Sequence, residues 1–242
     1  LDEHFAPRAL LLGDVPRHPS EQHEHEQQHE PRHLPAPPQR AAIEGWFTQF
    51  EDVLYNNAIW RDPTNGYRRY IDQPDFLDYF ILNVLTRNGD GLLISLFPWK
   101  GDDGKLRMGP AWDYNWSSYY VSGGPTGSLM HRSDQLWYQR LFADPDFLQA
   151  YIDRWWEVRR GPMSNAAMAA IIDGQAADIT LQKSLLNGLP SISEWTNRLG
   201  QLKTWLQQRA DWIDGNYLRP PVFNQAGGAV PDGFVVALSG DN

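Results

Sequence analysis

Apolar side chains recur at helical spacing along most of the chain. The first such pattern begins at Pro38 and ends near Tyr55, and a second begins after Asp72, with Pro74 in its first turn. The second pattern ends at the turn-forming residues 87–91. Four further helices are predicted over 134–143, 145–160, 164–187 and 191–217. The chain is therefore predicted to be mostly helical.

A β-hairpin is predicted between the second helix and the later ones. Its strands are expected over 92–99 and 105–111, around a glycine-flanked turn at 101–104. A short extended segment is also expected over 67–71. Together these patterns predict an α+β fold that is mostly helical and has a central β-hairpin.

The two ends of the chain depart from this pattern. Residues 1–39 are rich in His, Glu, Gln and Pro and poor in apolar side chains, which predicts a partly disordered segment. Metal capture by its histidines is the less favoured interpretation, because their spacing is irregular. Residues 40–219 then form one lobe, and the Gly-rich, alternating residues 220–242 are interpreted as the start of a truncated β-domain. We therefore expect contiguous domains to be missing at both ends.

Composition narrows the possible partners. The formal net charge of −9 argues against binding to nucleic acid or to anionic membranes. The absence of cysteine excludes disulfides and thiol catalysis. No run of residues approaches the roughly 20 apolar positions that a membrane span needs.

Two acidic residues flank the predicted hairpin. Asp90 precedes it and Asp113 follows it, and the symmetry of the hairpin places Asp90 opposite Asn115, with Asn88 at the same open end. Carboxylate and amide oxygens are the ligands that Mg²⁺ or Mn²⁺ prefers when it binds together with phosphates. The alternative interpretation is structural, since Asn-Gly-Asp-Gly also forms turns and Asp113 can brace a loop. The spacing therefore suggests a metal site without establishing one.

Two motifs resemble the CotH kinase family. They are Asn-x-Asp-Gly at 88–91 and Gly-Pro-x-Trp-Asp-x-Asn at 109–115. Further similarity lies in segments 70–80, 137–147 and 154–159. The resemblance extends from about Gln39 to Val222, and it implies the C-terminal lobe of an atypical protein kinase.

The resemblance also implies an activity and a set of roles. It implies transfer of phosphate from ATP, with Mg²⁺ or Mn²⁺, to Ser or Thr of surface or coat proteins of bacteria, in an extracellular, cell-surface or spore-coat location. Carried over by position, Asp90 is the catalytic residue, Asp113 and Asn115 bind the metal, and Asn88 and Ser95 contact the cofactor.

The chain departs from the family pattern at two positions. Ser95 stands where a second metal-binding Asn is expected, and Leu93 stands where many relatives have Arg. The Lys that clamps the nucleotide would lie upstream of the first residue, so the isolated piece is expected to be inactive. One alternative is a catalytically inactive pseudokinase. Another is an extracellular scaffold or carbohydrate-binding module that stacks sugars on Trp116, Tyr119 and Tyr120.

Overall fold

The computed structural model describes residues 37–115, 117–119, 123–131, 133–183 and 191–216. The predictions for 1–36 and 217–242 lie outside these described residues. The helices are α1 (Pro37–Tyr55), α2 (Gln73–Thr86), α3 (Tyr138–Leu141), α4 (Pro145–Arg159), α5 (Asn165–Lys183) and α6 (Ile192–Asn216). A two-stranded antiparallel sheet consists of β1 (Trp99–Lys100) and β2 (Leu106–Arg107). The mostly helical α+β fold is therefore confirmed. None of the described helices combines the length and apolar character needed to cross a membrane.

Helix α2 lies at the centre of the fold, and its sequence explains where it begins and ends. The Asp72 side chain accepts a hydrogen bond from the Asp75 N–H at 3.3 Å, and Pro74 lies in the first turn. The helix ends at Arg87, whose φ of 53° is left-handed and directs the chain away from the helix axis. Helix α2 is buried on most of its surface. The residues that follow it therefore start from a fixed position.

Aromatic rings fill the space between α2, α3 and α4. The ring of Phe80 lies 4.7 Å from that of Tyr138 and 4.8 Å from that of Phe142, and Phe142 contacts Phe147 at 5.2 Å. All but Phe142 are fully buried, and Tyr151 joins the cluster at 5.5 Å from Phe80. Edge-on and tilted ring pairs of this kind stabilise a core beyond the area they bury. The aromatic core therefore holds α2 rigidly against the later helices.

The hairpin is much shorter than predicted. Only two residue pairs form, Trp99 with Arg107 and Lys100 with Leu106. The first half of the strand expected over 92–99 is instead a turn, because the Asp90 carbonyl accepts hydrogen bonds from three successive N–H groups. The donors are Leu93, Ile94 and Ser95, at 3.0, 3.1 and 3.0 Å. The symmetry that was expected to place Asp90 opposite Asn115 therefore does not exist.

The segment predicted as extended over 67–71 is mainly a 3₁₀ turn at Tyr67–Arg69. Only its end pairs with the sheet, where Ile71 forms a parallel bridge with Leu106. The Leu106 N–H donates to the Tyr70 carbonyl at 2.7 Å, and its carbonyl accepts from the Asp72 N–H at 2.9 Å. The short hairpin is therefore attached directly to the start of α2.

Candidate functional site

Asn88 determines the shape of the turn after α2. Its side-chain Oδ1 accepts hydrogen bonds from the N–H groups of Asp90 and Gly91, both at 3.1 Å, and from Ser117 Oγ at 2.7 Å. The residue is 0% exposed. The oxygen of this buried amide therefore holds the 88–91 turn. The expected contact of Asn88 with the cofactor stays a prediction.

The backbone at Gly91 passes directly over two buried amides. A methyl group on Gly91 would overlap Asn83 Oδ1 and would lie 3.0 Å from Asn88 Nδ2. The Gly91 carbonyl accepts a hydrogen bond from the Tyr79 hydroxyl at 2.6 Å. Glycine is therefore required here for close approach, and the turn is seated on α2.

Ser95 contacts both candidate acidic residues. Its N–H donates to the Asp90 carbonyl at 3.0 Å, and its hydroxyl donates to Asp113 Oδ2 at 3.3 Å. Ser95 is only 4% exposed, so it supports Asp113 from the protein side. The structure thus brings Asp90, Ser95 and Asp113 together by a route different from the predicted ribbon.

Backbone conformation exposes Asp113. Its φ of 59° is left-handed, which Asp tolerates better than most residues, and its side chain and that of Asn115 are exposed. Tyr114 between them turns inward, and burial raises the pKa of its hydroxyl. The nearby side-chain amides of Asn88 and Asn83 partly lower the pKa of the same hydroxyl, although neither forms a hydrogen bond of ordinary geometry with it. The alternation of exposed and buried side chains therefore presents two oxygen ligands to solvent.

The donor set fits a divalent cation only in part. Asp113 and Asn115 are exposed and Asp90 is half-buried. Among the described residues, no three His, Asp or Glu side chains converge as a metal site. Mg²⁺ commonly binds one or two carboxylates together with substrate phosphates, so it does not need an all-protein site. These residues therefore fit a cation that arrives with a nucleotide.

Comparison with protein-family models gives a match to the family described as CotH kinase protein, over residues 18–213. The chain belongs to this CotH kinase family. Membership confirms the resemblance in the motifs at 88–91 and 109–115, and it indicates a kinase-like function. Searches of curated proteins and of solved structures gave no match.

Large apolar side chains are exposed beside the candidate site of this CotH family member. Ile94, Phe97, Trp99 and Trp112 are each more than half exposed, and the rings of Phe97 and Trp112 meet edge-on at 6.3 Å. We call these four residues the exposed apolar surface. The sequence did not predict this surface, because the longer hairpin expected there would have paired and partly covered the segment. The surface is contiguous along the chain with Ser95 and Asp113.

The aromatic residues expected to stack on sugars do not form an open platform. Trp116 and Tyr120 lie outside the described residues. The Tyr119 ring packs edge-on against Trp205 at 5.9 Å and against the core, and burial raises the pKa of its hydroxyl. The expectation that Tyr119 is an exposed stacking residue is therefore wrong, and the CotH match does not favour a carbohydrate-binding module.

Proposed function

We propose that this chain supplies the phosphate-transfer residues of a CotH kinase that moves the γ-phosphate of ATP to a Ser or Thr hydroxyl of a protein. One observation carries the proposal. Ser95 joins the backbone carbonyl of Asp90, through its N–H, to the carboxylate of Asp113, through its hydroxyl, inside the segment matched to the kinase family. A base and a metal ligand on neighbouring turns are the minimum that such a transfer requires.

The two acidic residues have different surroundings, which supports different roles. Asp113 and Asn115 are exposed and would bind Mg²⁺ or Mn²⁺, which would neutralise charge on the phosphates. Asp90 is half-buried, and its backbone is fixed on both sides by hydrogen bonds. Its carboxylate would orient the acceptor hydroxyl and take its proton as the new P–O bond forms, while the bond from the γ-phosphorus to the bridging oxygen breaks and ADP leaves.

The departure at Ser95 changes how the site is supported. In this chain the Ser95 hydroxyl donates to Asp113. It would hold the carboxylate in position rather than serve as the second amide ligand of the family pattern. A site of this kind would depend on a single well-oriented carboxylate and on the phosphates of the nucleotide.

The exposed apolar surface offers a place for the nucleotide base. Trp112, which meets Phe97 edge-on, directly precedes Asp113 along the chain, so a base lying on this pair would be near phosphates held at Asp113. Stacking on an aromatic side chain contributes about 1–3 kcal/mol per base. Substrates on the bacterial cell surface or spore coat, as the family resemblance implies, are part of the same proposal.

The test measures binding and transfer separately. Mn²⁺ binding with and without ATP would be followed by electron paramagnetic resonance, and transfer by label from γ-labelled ATP into dephosphorylated casein and the chain itself. Asp113→Asn should weaken binding of Mn²⁺ with ATP by tenfold or more and abolish transfer. Asp90→Asn should keep that binding and lower transfer by about 10²-fold or more. The exposed Asp52→Asn is the matched control and should change neither.

Two outcomes would overturn the proposal. One is transfer that persists in Asp113→Asn. The other is a wild-type full-length protein that neither binds Mn²⁺ with ATP nor transfers label; the full-length protein is the sample throughout, because the isolated piece is expected to be inactive. Binding without transfer in the wild type would support the pseudokinase alternative.

A further inference from the structure

Arg209 is a cation enclosed in the interior of the protein. It lies in α6 and is 0% exposed. Burial, together with the positive charge of nearby Arg87, lowers the pKa of its guanidinium to about 10. No ion pair among the described residues includes it. A buried charge without a carboxylate partner is costly, so its surroundings must stabilise it in another way.

Backbone carbonyl groups stabilise this guanidinium. Nε and Nη2 both donate to the Val84 carbonyl, at 3.1 and 2.9 Å, and Nη2 also donates to that of Ser128 at 3.0 Å. Nη1 donates to the carbonyls of Pro125 and Gly127, at 3.2 and 2.6 Å. An arginine has five N–H donors, so every one of them is used.

These carbonyls belong to two separate segments. Val84 lies in the last turn of α2, where the negative end of the helix dipole favours a cation, and the 88–91 turn follows directly. The other carbonyls belong to residues 123–128, which we call the glycine-rich loop and which follow Asp113 along the chain.

Two other side chains also donate hydrogen bonds to carbonyls of the glycine-rich loop. The Arg87 side chain donates to the Gly124 carbonyl at 2.5 Å, and the Trp205 indole donates to the Gly123 carbonyl at 3.0 Å. Arg87 is the residue that ends α2, and Trp205 lies one turn before Arg209 on α6. The end of α2 and the glycine-rich loop are thus joined repeatedly, and Arg209 makes the most hydrogen bonds between them.

We propose that Arg209 is a positioning residue for the transfer reaction, fixing the turn that carries Asp90 relative to the loop that follows Asp113. It contacts neither carboxylate and acts only through the backbone of the two segments. Lysine cannot replace it, since its three donors radiate from one point whereas the four carbonyls that accept the five hydrogen bonds surround a planar fork. The expected effect of Arg209 on transfer rests on the proposed function, whereas its role in joining the two segments does not.

The test compares Arg209→Met and Arg209→Lys with a matched control, Arg159→Met. Arg159 also joins α6 to another element by a nearly buried guanidinium, through Asp211 at 2.9 Å and Asp214 at 3.0 Å. Hydrogen exchange measures the amides of 84–91 and 123–128, and transfer from ATP with Mn²⁺ is measured on the same samples below their unfolding temperature.

Arg209→Met should speed exchange at least tenfold in both segments together. It should lower kcat at least tenfold, with a smaller change in the KM for ATP. Arg159→Met should lower stability but leave exchange in the two segments and kcat near wild-type values. Should Arg209→Met fail to fold, Arg209→Lys carries the test, because lysine keeps the charge and part of the hydrogen bonding.

Three results would overturn the inference. The first is faster exchange in only one of the two segments, and the second is faster exchange of both segments in Arg159→Met as well. A kcat in Arg209→Met that stays within twofold of wild type would also overturn it. These measurements use the full-length protein. If its wild type transfers no phosphate while both segments lose protection together in Arg209→Met, the proposed function fails and the structural part of the inference stands.

Discussion

Replacing Gly91 by alanine is the most direct test of how the 88–91 turn is built. The added methyl would overlap Asn83 Oδ1 and lie 2.8 Å from Asn83 Cγ, and Asn83 is 0% exposed. Its side chain can move only by giving up the hydrogen bond from Nδ2 to the Tyr79 carbonyl, which is 2.8 Å long. The methyl therefore has no free space to occupy.

The cost has two parts. Overfilling a packed interior typically costs about 1–3 kcal/mol, and loss of the Asn83 hydrogen bond adds about 1 kcal/mol. Gly91→Ala should therefore lower the free energy of unfolding by about 2–4 kcal/mol. For a chain of this size that corresponds to a fall in Tm of roughly 4–16 °C.

The assay is urea unfolding followed by circular dichroism, with Gly45→Ala as the control. Gly45 is an exposed residue of α1 with nothing within 4 Å of an added methyl, so alanine there should raise stability by about 0.5–1 kcal/mol. The two substitutions should thus have opposite signs. A Gly91→Ala variant as stable as wild type, with an unchanged m-value, would refute the argument that the turn is seated on buried amides.

Two further predictions concern carboxylates of α2 and α4. Asp144→Asn should cost roughly 2–4 kcal/mol in urea unfolding. Asp144 is 1% exposed and accepts from Tyr67 at 2.8 Å and from Arg68 at 2.6 Å. The exposed Asp146→Asn is its control, and a loss below about 1 kcal/mol in Asp144→Asn would contradict the prediction. Burial raises the pKa of Asp75, so the folded state holds that proton more tightly than the unfolded chain. The unfolding free energy of wild type relative to Asp75→Asn should fall from pH 4 to pH 7, and a rise would contradict the assignment.

Local sequence features predicted the ends of α2. Asp72, Pro74 and the turn residues after Thr86 act through short-range hydrogen bonds and backbone restrictions, which do not depend on the rest of the fold. The fold class and the other helices could therefore be predicted without coordinates, whereas the helix predicted over 134–143 is only Tyr138–Leu141.

The candidate site could be predicted only in part. The apolar pattern of 92–97 is compatible with a strand, and the turn that forms there depends on Asn88 being buried and bonded to the backbone. The link from Ser95 to Asp113 depends on that turn. Arg209 was not predicted either, because an arginine on a helix is usually solvated, and only the approach of α6 to the end of α2 buries it. These features arise from contacts between residues far apart in the chain.

The tip of the short hairpin is structurally separate from the candidate site. Residues 96–112 form an excursion between Ser95 and Asp113, and these two residues are joined at its base by a hydrogen bond. The exposed tip at Asp102 can therefore change in length without shifting the acidic residues. It is the natural point to attach a fluorescent probe or an affinity peptide when the proposed transfer is measured.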